Sequence, residues 1–449
     1  MEKKSFSKAL EQQYSNTLSA EDYALHSWYR FVLSYPPHLV RKYLSFFEVR
    51  HEGVVLDPFC GTGTTLVEAQ KHGFQGIGID AHPFAAFVSK VKTHWSLPLR
   101  TLKDVRSGIL SSAEEAYRAK ELHSTSFRHL LFVRDGEEEP TLSSEQESLI
   151  PTGFLSEVPR RKLLLLRDSI RSECSTHEKE IEDFFFLALC HVIANGAGNF
   201  SFGPEIYRTK AKQDYDVLGH FAERSLIMLN DLERMVQSCP NYSESTVVCG
   251  DSRDCSFLNH EIGAVITSPP YPNEKDYTRT TRVEAVLMEL IKGKEDLRAL
   301  KESLLRSNTR NVFVKDDDGK EINEFDSIKS VCREIEARRV ELGKTSGFER
   351  LYHKVVAHYF GGMRRHLRTL RPHLEPRARL AYVVGDQLSF LMVPVHTARL
   401  LAEIAEAEGY HVLTIDLWRE RIGTKVRNAR NGDRTVRVRE EVLVLERGQ

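Results

Sequence analysis

The sequence predicts an α/β protein built on a Rossmann-like, doubly wound, mostly parallel sheet of seven strands, with helices on both faces and a helical insertion. Three observations predict it. Short apolar, β-branched runs recur at 54–56, 76–80, 246–251, 263–267, 379–385, 410–415 and 441–445, separated by stretches of helical periodicity. The first two runs enclose a Gly-rich turn and a helix start, which is a βαβ unit. Two runs stop abruptly, at Asp57-Pro58 and at Ser268-Pro269-Pro270. In a parallel sheet these stops fall at strand carboxyl ends, where open α/β sheets bind ligands.

Composition narrows the class. Among 449 residues, no apolar run approaches the roughly 20 that span a bilayer. The start, Met1-Glu2-Lys3-Lys4-Ser5, lacks the apolar core of a signal peptide, so a cytoplasmic protein with no membrane contact is expected. Seven scattered cysteines include no Cys-x-x-Cys and no zinc-type spacing, which predicts reduced packing residues and no metal. With a net charge of −1, any contact to nucleic acid has to come from local patches.

Taken in order, the first twenty residues read as polar and frayed. An aromatic stretch, Trp28-Tyr29-Arg30-Phe31, leads to Ser34-Tyr35-Pro36-Pro37, whose prolines suit the first turn of a helix running to Phe47. In Asp57-Pro58-Phe59-Cys60-Gly61-Thr62-Gly63-Thr64-Thr65, Gly61 and Gly63 let backbone approach a ligand without an intervening Cβ. The following helix start supplies free N–H groups. Asp80 closes the second strand where an acidic residue bonds ribose hydroxyls in dinucleotide sites. No Gly-Lys-Ser/Thr follows, and Leu66 replaces the third glycine of a dehydrogenase fingerprint.

Helices are expected at 102–122, 159–171, 178–194 and 213–237, with an exposed acidic loop at 135–140 and a Gly/Asn loop at 195–199. The basic segment 207–212 reads either as a phosphate contact or as a solvated helix start. Residues 292–348 are charged and poor in large apolar side chains, suiting a mobile lid or second insertion. A helix is expected over 352–370 and another over 393–408, stopped by Gly409. Between the last two strands, Arg419, Arg421, Lys425, Arg427, Arg430, Arg434, Arg437 and Arg439 form a basic loop or hairpin, read equally as a phosphate-contact element or a solvated face.

The stretch Ala264–Pro272 carries the chemistry. Two prolines end its strand and leave a rigid loop in which the Pro269 carbonyl and the Ser268 hydroxyl are two acceptors beside the aromatic face of Tyr271. The amine of a nucleobase is a poor nucleophile because its lone pair is delocalised into the ring. Acceptors for its two N–H groups localise that pair as a new bond forms.

Together, Asp57–Thr65 and Thr267-Ser268-Pro269-Pro270-Tyr271 resemble the amino-methyltransferases, the S-adenosylmethionine-dependent enzymes that methylate exocyclic amines of DNA bases. The resemblance implies a methyltransferase sheet in which residues 57–65 bind S-adenosylmethionine. It places Asp80 on the ribose, Asp251 on the adenine and Tyr35-Pro36 over the methionine end, unless the latter pair is only part of a helix packed on the sheet edge. It implies catalysis by Ser268, Pro269, Pro270 and Tyr271 on a base rotated out of double-stranded DNA. Transfer would be direct, with Cys60 not a nucleophile. Ser at the first position of the loop goes mostly with cytosine N4 in this family, and adenine N6 is the alternative. RNA or protein amine methylation and a non-catalytic DNA-binding subunit stay open, as does a partner nuclease of a restriction or defence system.

The expected organisation is a cofactor-loop part at 1–100, a helical insertion at 101–243 that is a candidate for target recognition, a catalytic-loop part at 244–291, a charged insertion or lid at 292–350, and a closing part with the basic hairpin at 351–449.

Overall fold

Alternation along the strands decides what covers each face of the sheet. The computed structural model describes residues 16–31, 34–50, 53–120, 122, 140–202, 206–273, 275–428 and 432–449. Its strands are β1 (Val54–Asp57), β2 (Gln75–Asp80), β3 (Phe200–Phe202), β4 (Ile206–Arg208), β5 (Thr246–Cys249), β6 (Ile262–Thr267), β7 (Leu374–Gly385), β8 (Tyr410–Asn428) and β9 (Gly432–Arg447). The longer helices are α1 (Pro37–Phe47), α2 (Thr64–Lys71), α3 (Pro83–Thr93), α4 (Leu99–Ala119), α5 (Glu157–Cys174), α6 (Lys179–Val192), α7 (Val217–Ser238), α8 (Lys294–Ser303), α9 (Asp326–Glu341), α10 (Tyr352–Leu370) and α11 (Thr397–Ala407). Val55, Ala264, Ile266, Ala381 and Val383 pack with α1. Their alternates Leu56, Val265, Leu380, Tyr382 and Val384 pack with α10 and α11. Burial on both faces makes the parallel strands continuously apolar.

Seven strands run in the order β5-β2-β1-β6-β7-β9-β8. Pairs from β5 to β7 are parallel, and β9 is antiparallel to both β7 and β8. This is the mostly parallel, doubly wound, seven-stranded sheet that the sequence predicts. The chain leaves β1 towards β2 on one side and continues from β6 to β7 on the other. The switch point therefore lies between the carboxyl ends of β1 and β6.

Pro37 opens α1 as expected. The segment before it is tied down by buried charge, with Arg41 donating to Asp22 (2.7 Å) and to Glu68 (2.9 Å) and His26 Nε2 2.8 Å from the other Glu68 oxygen. Helices α4–α7 share one apolar core with α3 and with residues 283–291. The Gly/Asn loop forms a π turn, Ile193–Ala197, that leads into the β3–β4 hairpin. Residues 135–139 of the acidic loop lie outside the described residues. Among the described residues no helix is long and apolar enough to cross a membrane.

Strands β8 and β9 run well past the predicted 410–415 and 441–445. The alternation Thr435-Val436-Arg437-Val438-Arg439 is itself a strand pattern and continues the ladder. β7 pairs no further than Gly385 with Glu440, so beyond that point the hairpin is a two-stranded ribbon. Arg430 lies outside the described residues.

The charged segment 292–348 is held in place by Arg306. This buried guanidinium donates to carbonyls at the end of α8, Lys301 (3.2 Å) and Glu302 (3.1 Å), and grips Asp316 in a fork of 2.8 and 2.6 Å. Removing one partner strands the buried charge of the other. Arg306→Ala should therefore lower unfolding stability by about 3–5 kcal/mol in chemical denaturation, and Arg306→Lys should not restore it, because an ammonium cannot make the fork.

Candidate active site at the sheet switch point

The carboxyl ends of β1 and β6 are joined by one buried carboxylate. Asp57 accepts from Thr267 Oγ1 at the end of β6 (2.6 Å), from the Tyr35 hydroxyl (2.8 Å) and from the Phe59 amide (3.1 Å). Thr65 Oγ1 adds a second tie, donating to the Ile266 carbonyl at 2.9 Å. The two loops that the sequence singles out are thus braced on adjacent strands, β1 and β6 being paired in register at Val55–Ala264.

Above them opens a cavity of about 220 Å³. Of the predicted site residues it is lined by Tyr35, Phe59, Cys60, Gly61, Thr62, Thr64, Asp80, Asp251, Ser268, Pro269, Pro270 and Tyr271. Pro36, Asp57, Pro58, Gly63 and Thr65 stand behind the wall as supports. Pro36 precedes α1, and the Pro58 carbonyl accepts from the Ser252 hydroxyl. The two glycines differ. Gly61, at φ +50°, would turn a Cβ into open space, 4.0 Å from Phe31. Gly63, at φ +81°, would drive one onto Ser89 of α3, 3.2 Å from its Cα. Close approach to a ligand is therefore the property of Gly61, and Gly63 serves loop-to-helix packing.

Asp80 accepts from the Gly61 amide (2.9 Å) and the His82 amide (2.8 Å), which fixes its carboxylate at the cavity edge. Asp251 is gripped by Arg253, with Oδ2 2.6 Å from Nη2, and Arg253 in turn donates to buried Asp318 at 2.6 Å. Ser268 donates its proton to the Val383 carbonyl at 3.0 Å. Its lone pairs are thereby left for an external donor.

The sequence is similar to those of known proteins. A family of DNA methylases, the N6/N4 methyltransferases, matches residues 4–90. The chain is 24% identical over 310 residues to the Type II methyltransferase M.BsoBI of Geobacillus stearothermophilus, covering 64% of this chain and 57% of the relative. It is 23% identical to Type II methyltransferase M.MvaI of Kocuria varians, covering 58% and 56%. Similarity to Type II methyltransferase M.AvaI of Anabaena variabilis, at 21% identity, covers 91% and 86%. The chain thus spans a little over half the length of the first two relatives.

The chain is similar to the N6/N4 DNA methylases.

That similarity implies S-adenosylmethionine as methyl donor, and the cavity fits it. Gly61 leaves room at the loop, Asp80 presents an oriented carboxylate for hydroxyl donors, and α2 presents N–H groups not used within the helix beside Thr64. Sequence reasoning missed several walls of the cavity. Phe202 and Ile206 come from β3 and β4, Leu304, Leu305, Ser307 and Asn308 from the charged segment, and Glu440 from β9. Asn273, Lys275, Asp276 and Tyr277, from the polar loop after Tyr271, line it as well. A further support is Lys92, buried on α3, which donates to the carbonyls of Thr62 (3.1 Å), His26 (3.3 Å) and Tyr29 and so pins the Gly-rich loop to the N-terminal segment. Its signal was a lysine on an apolar helix stripe.

Burial raises both Asp57 and Asp80 to about 6, against the hydrogen bonds that each accepts. Because these values lie above the unfolded 3.8, the folded state holds extra protons between about pH 4 and 6. Their contribution to ligand-free stability should therefore fall as pH rises through that window and level off above it. S-adenosylmethionine affinity should move the opposite way, because hydroxyl donors favour the Asp80 carboxylate. Thermal denaturation across the window, with Asp80→Asn showing a shallower slope, and calorimetry in two buffers near pH 6, showing proton release on binding, check this.

Proposed function

We propose that the chain is an S-adenosylmethionine-dependent DNA methyltransferase acting on the exocyclic amine of a base rotated out of the duplex, with cytosine N4 as the target. The observation that carries this reading is the placement of the two Ser268/Pro269 acceptors and the cofactor loop in one cavity, on strands paired edge to edge. A base inside a duplex cannot enter such a cavity without extrusion.

S-adenosylmethionine would supply an electrophilic methyl group. Asp80 would hold its ribose, Asp251 its adenine, and Tyr35 would close the methionine end. Ser268, its own proton on Val383, accepts one amine N–H and the Pro269 carbonyl the other, which concentrates the lone pair on nitrogen as it attacks. Tyr271 offers the ring a stacking face. Its hydroxyl stays protonated, burial raising its pKa. The basic stretch 419–439 of the sequence, through Arg427, Arg430 and Arg434, would contact phosphates, and the α4–α7 insertion would read the sequence. A cognate nuclease of a restriction or defence system would be its partner.

Radioactive methyl transfer to DNA, RNA and protein, followed by nucleoside mass spectrometry, tests the reading. N4-methylcytosine is the expected product, and N6-methyladenine alone would refute the choice of base. Ser268→Ala should lower the turnover rate by about 100-fold or more while leaving cofactor affinity unchanged. Gly61→Val should abolish cofactor binding in calorimetry, since its side chain would fill the cavity.

A further inference from the structure

One wall of the cavity has no part in the chemistry described above. Gly385, Glu440 and Arg419 are cross-strand neighbours on β7, β9 and β8, with Arg421 two residues further along. All but Gly385 line the cavity together with Ser268 and Tyr271. Glu440 sits between the two arginines: one oxygen accepts from Arg419 Nε, and the other lies 2.9 Å from Arg421 Nε. Arg419 is further occupied by the Trp418 ring, 4.4 Å beneath its guanidinium. Arg421 is not. Its Nε is buried without a directed hydrogen bond, although Glu440 stands at ion-pair distance. A Cβ on Gly385 would lie 3.1 Å from Tyr271 Cε2 and 3.4 Å from Arg421 Nη2, so bare backbone there is what lets guanidinium and ring come side by side.

We propose that Arg421, steadied by Glu440, reads the ring edge next to the target amine and selects cytosine. The assignment rests on the amine-methylating function given above. In cytosine the amine-bearing carbon is followed by N3 and then by the C2 carbonyl, two acceptors side by side. A guanidinium presents two parallel N–H groups that match such a pair. In adenine the amine is followed by N1 and then by a C–H, so one donor of the fork would be left without an acceptor. A site built to donate discriminates strongly against a ligand that leaves its donors unpaired. Arg421 then supplies what Ser268 alone cannot, since an acceptor for the amine does not distinguish the two bases.

The test uses the full-length protein, unmethylated genomic DNA containing many sequences, and S-adenosylmethionine. Arg421→Gln should lower the N4-methylcytosine rate by about 100-fold, with adenine methylation unchanged or raised and cofactor affinity within about twofold. Arg421→Lys, which keeps the charge but loses the fork, should recover little of this, and Glu440→Gln should give an intermediate loss. Four results would overturn the proposal. These are an unchanged ratio of the two products in Arg421→Gln, loss of cofactor binding along with activity, N6-methyladenine as the wild-type product, or a base-independent fall in DNA affinity with a shallower salt dependence, which would make Arg421 a phosphate contact. If the wild type methylates no DNA base, the function itself fails. An altered product ratio leaves the function standing and speaks to Arg421 alone.

Discussion

The site depends on the buried carboxylate of Asp57. Its three donors come from three separate pieces of chain, the segment before α1, the Gly-rich loop and the last residue of β6. An ionised carboxylate out of water is costly unless its lone pairs are used. The cheapest arrangement therefore brings Tyr35, Phe59 and Thr267 together, and with them the parts that would hold a methyl donor and a target amine. Desolvation still wins by a margin, which is why the group titrates near 6 and not near 4. That residual cost is carried by the packing of α1 and β6 around it.

The same logic explains the loop proposed to be catalytic. A serine hydroxyl in open solvent would exchange donor and acceptor roles freely. Here the Val383 carbonyl of the neighbouring strand takes its proton, and two prolines remove the backbone freedom that would let it swing away. The loop is fixed before any ligand arrives, so the polar groups need little reorganisation when charge shifts on a bound amine.

The sequence made the sheet legible because parallel strands buried on both faces are short apolar runs, and the strands at 54, 75, 246, 262 and 374 all carry that mark. The two functional loops were legible for a different reason: prolines and glycines at strand ends have few structural uses. The β8–β9 ribbon was read too short, since arginines alternating with valine look like a loop when charge is weighed above periodicity. Gly63 was read as a ligand-facing glycine because spacing alone does not show which side a missing Cβ would face. The walls from Leu304–Asn308 and Phe202 were not legible at all. Their place in the cavity follows from long-range packing, set by Arg306 on Asp316 and by the core shared between α3 and the insertion.

These long-range walls bear on how recognition and chemistry are coupled. Arg253 holds Asp251, a proposed cofactor ligand, and at the same time Asp318 of the charged segment. Arg365 of α10 donates to the second oxygen of that aspartate at 2.7 Å. Asn308 extends the connection by donating to the Lys275 carbonyl in the loop after Tyr271. A shift of the 304–318 segment would therefore be felt on both sides of the cavity, through charged hydrogen bonds at Arg253 and an amide-to-carbonyl bond at Asn308. Insertions that merely decorated the sheet would leave its switch point to work alone. Here they complete the cavity, so that their packing sets its geometry together with the strand ends.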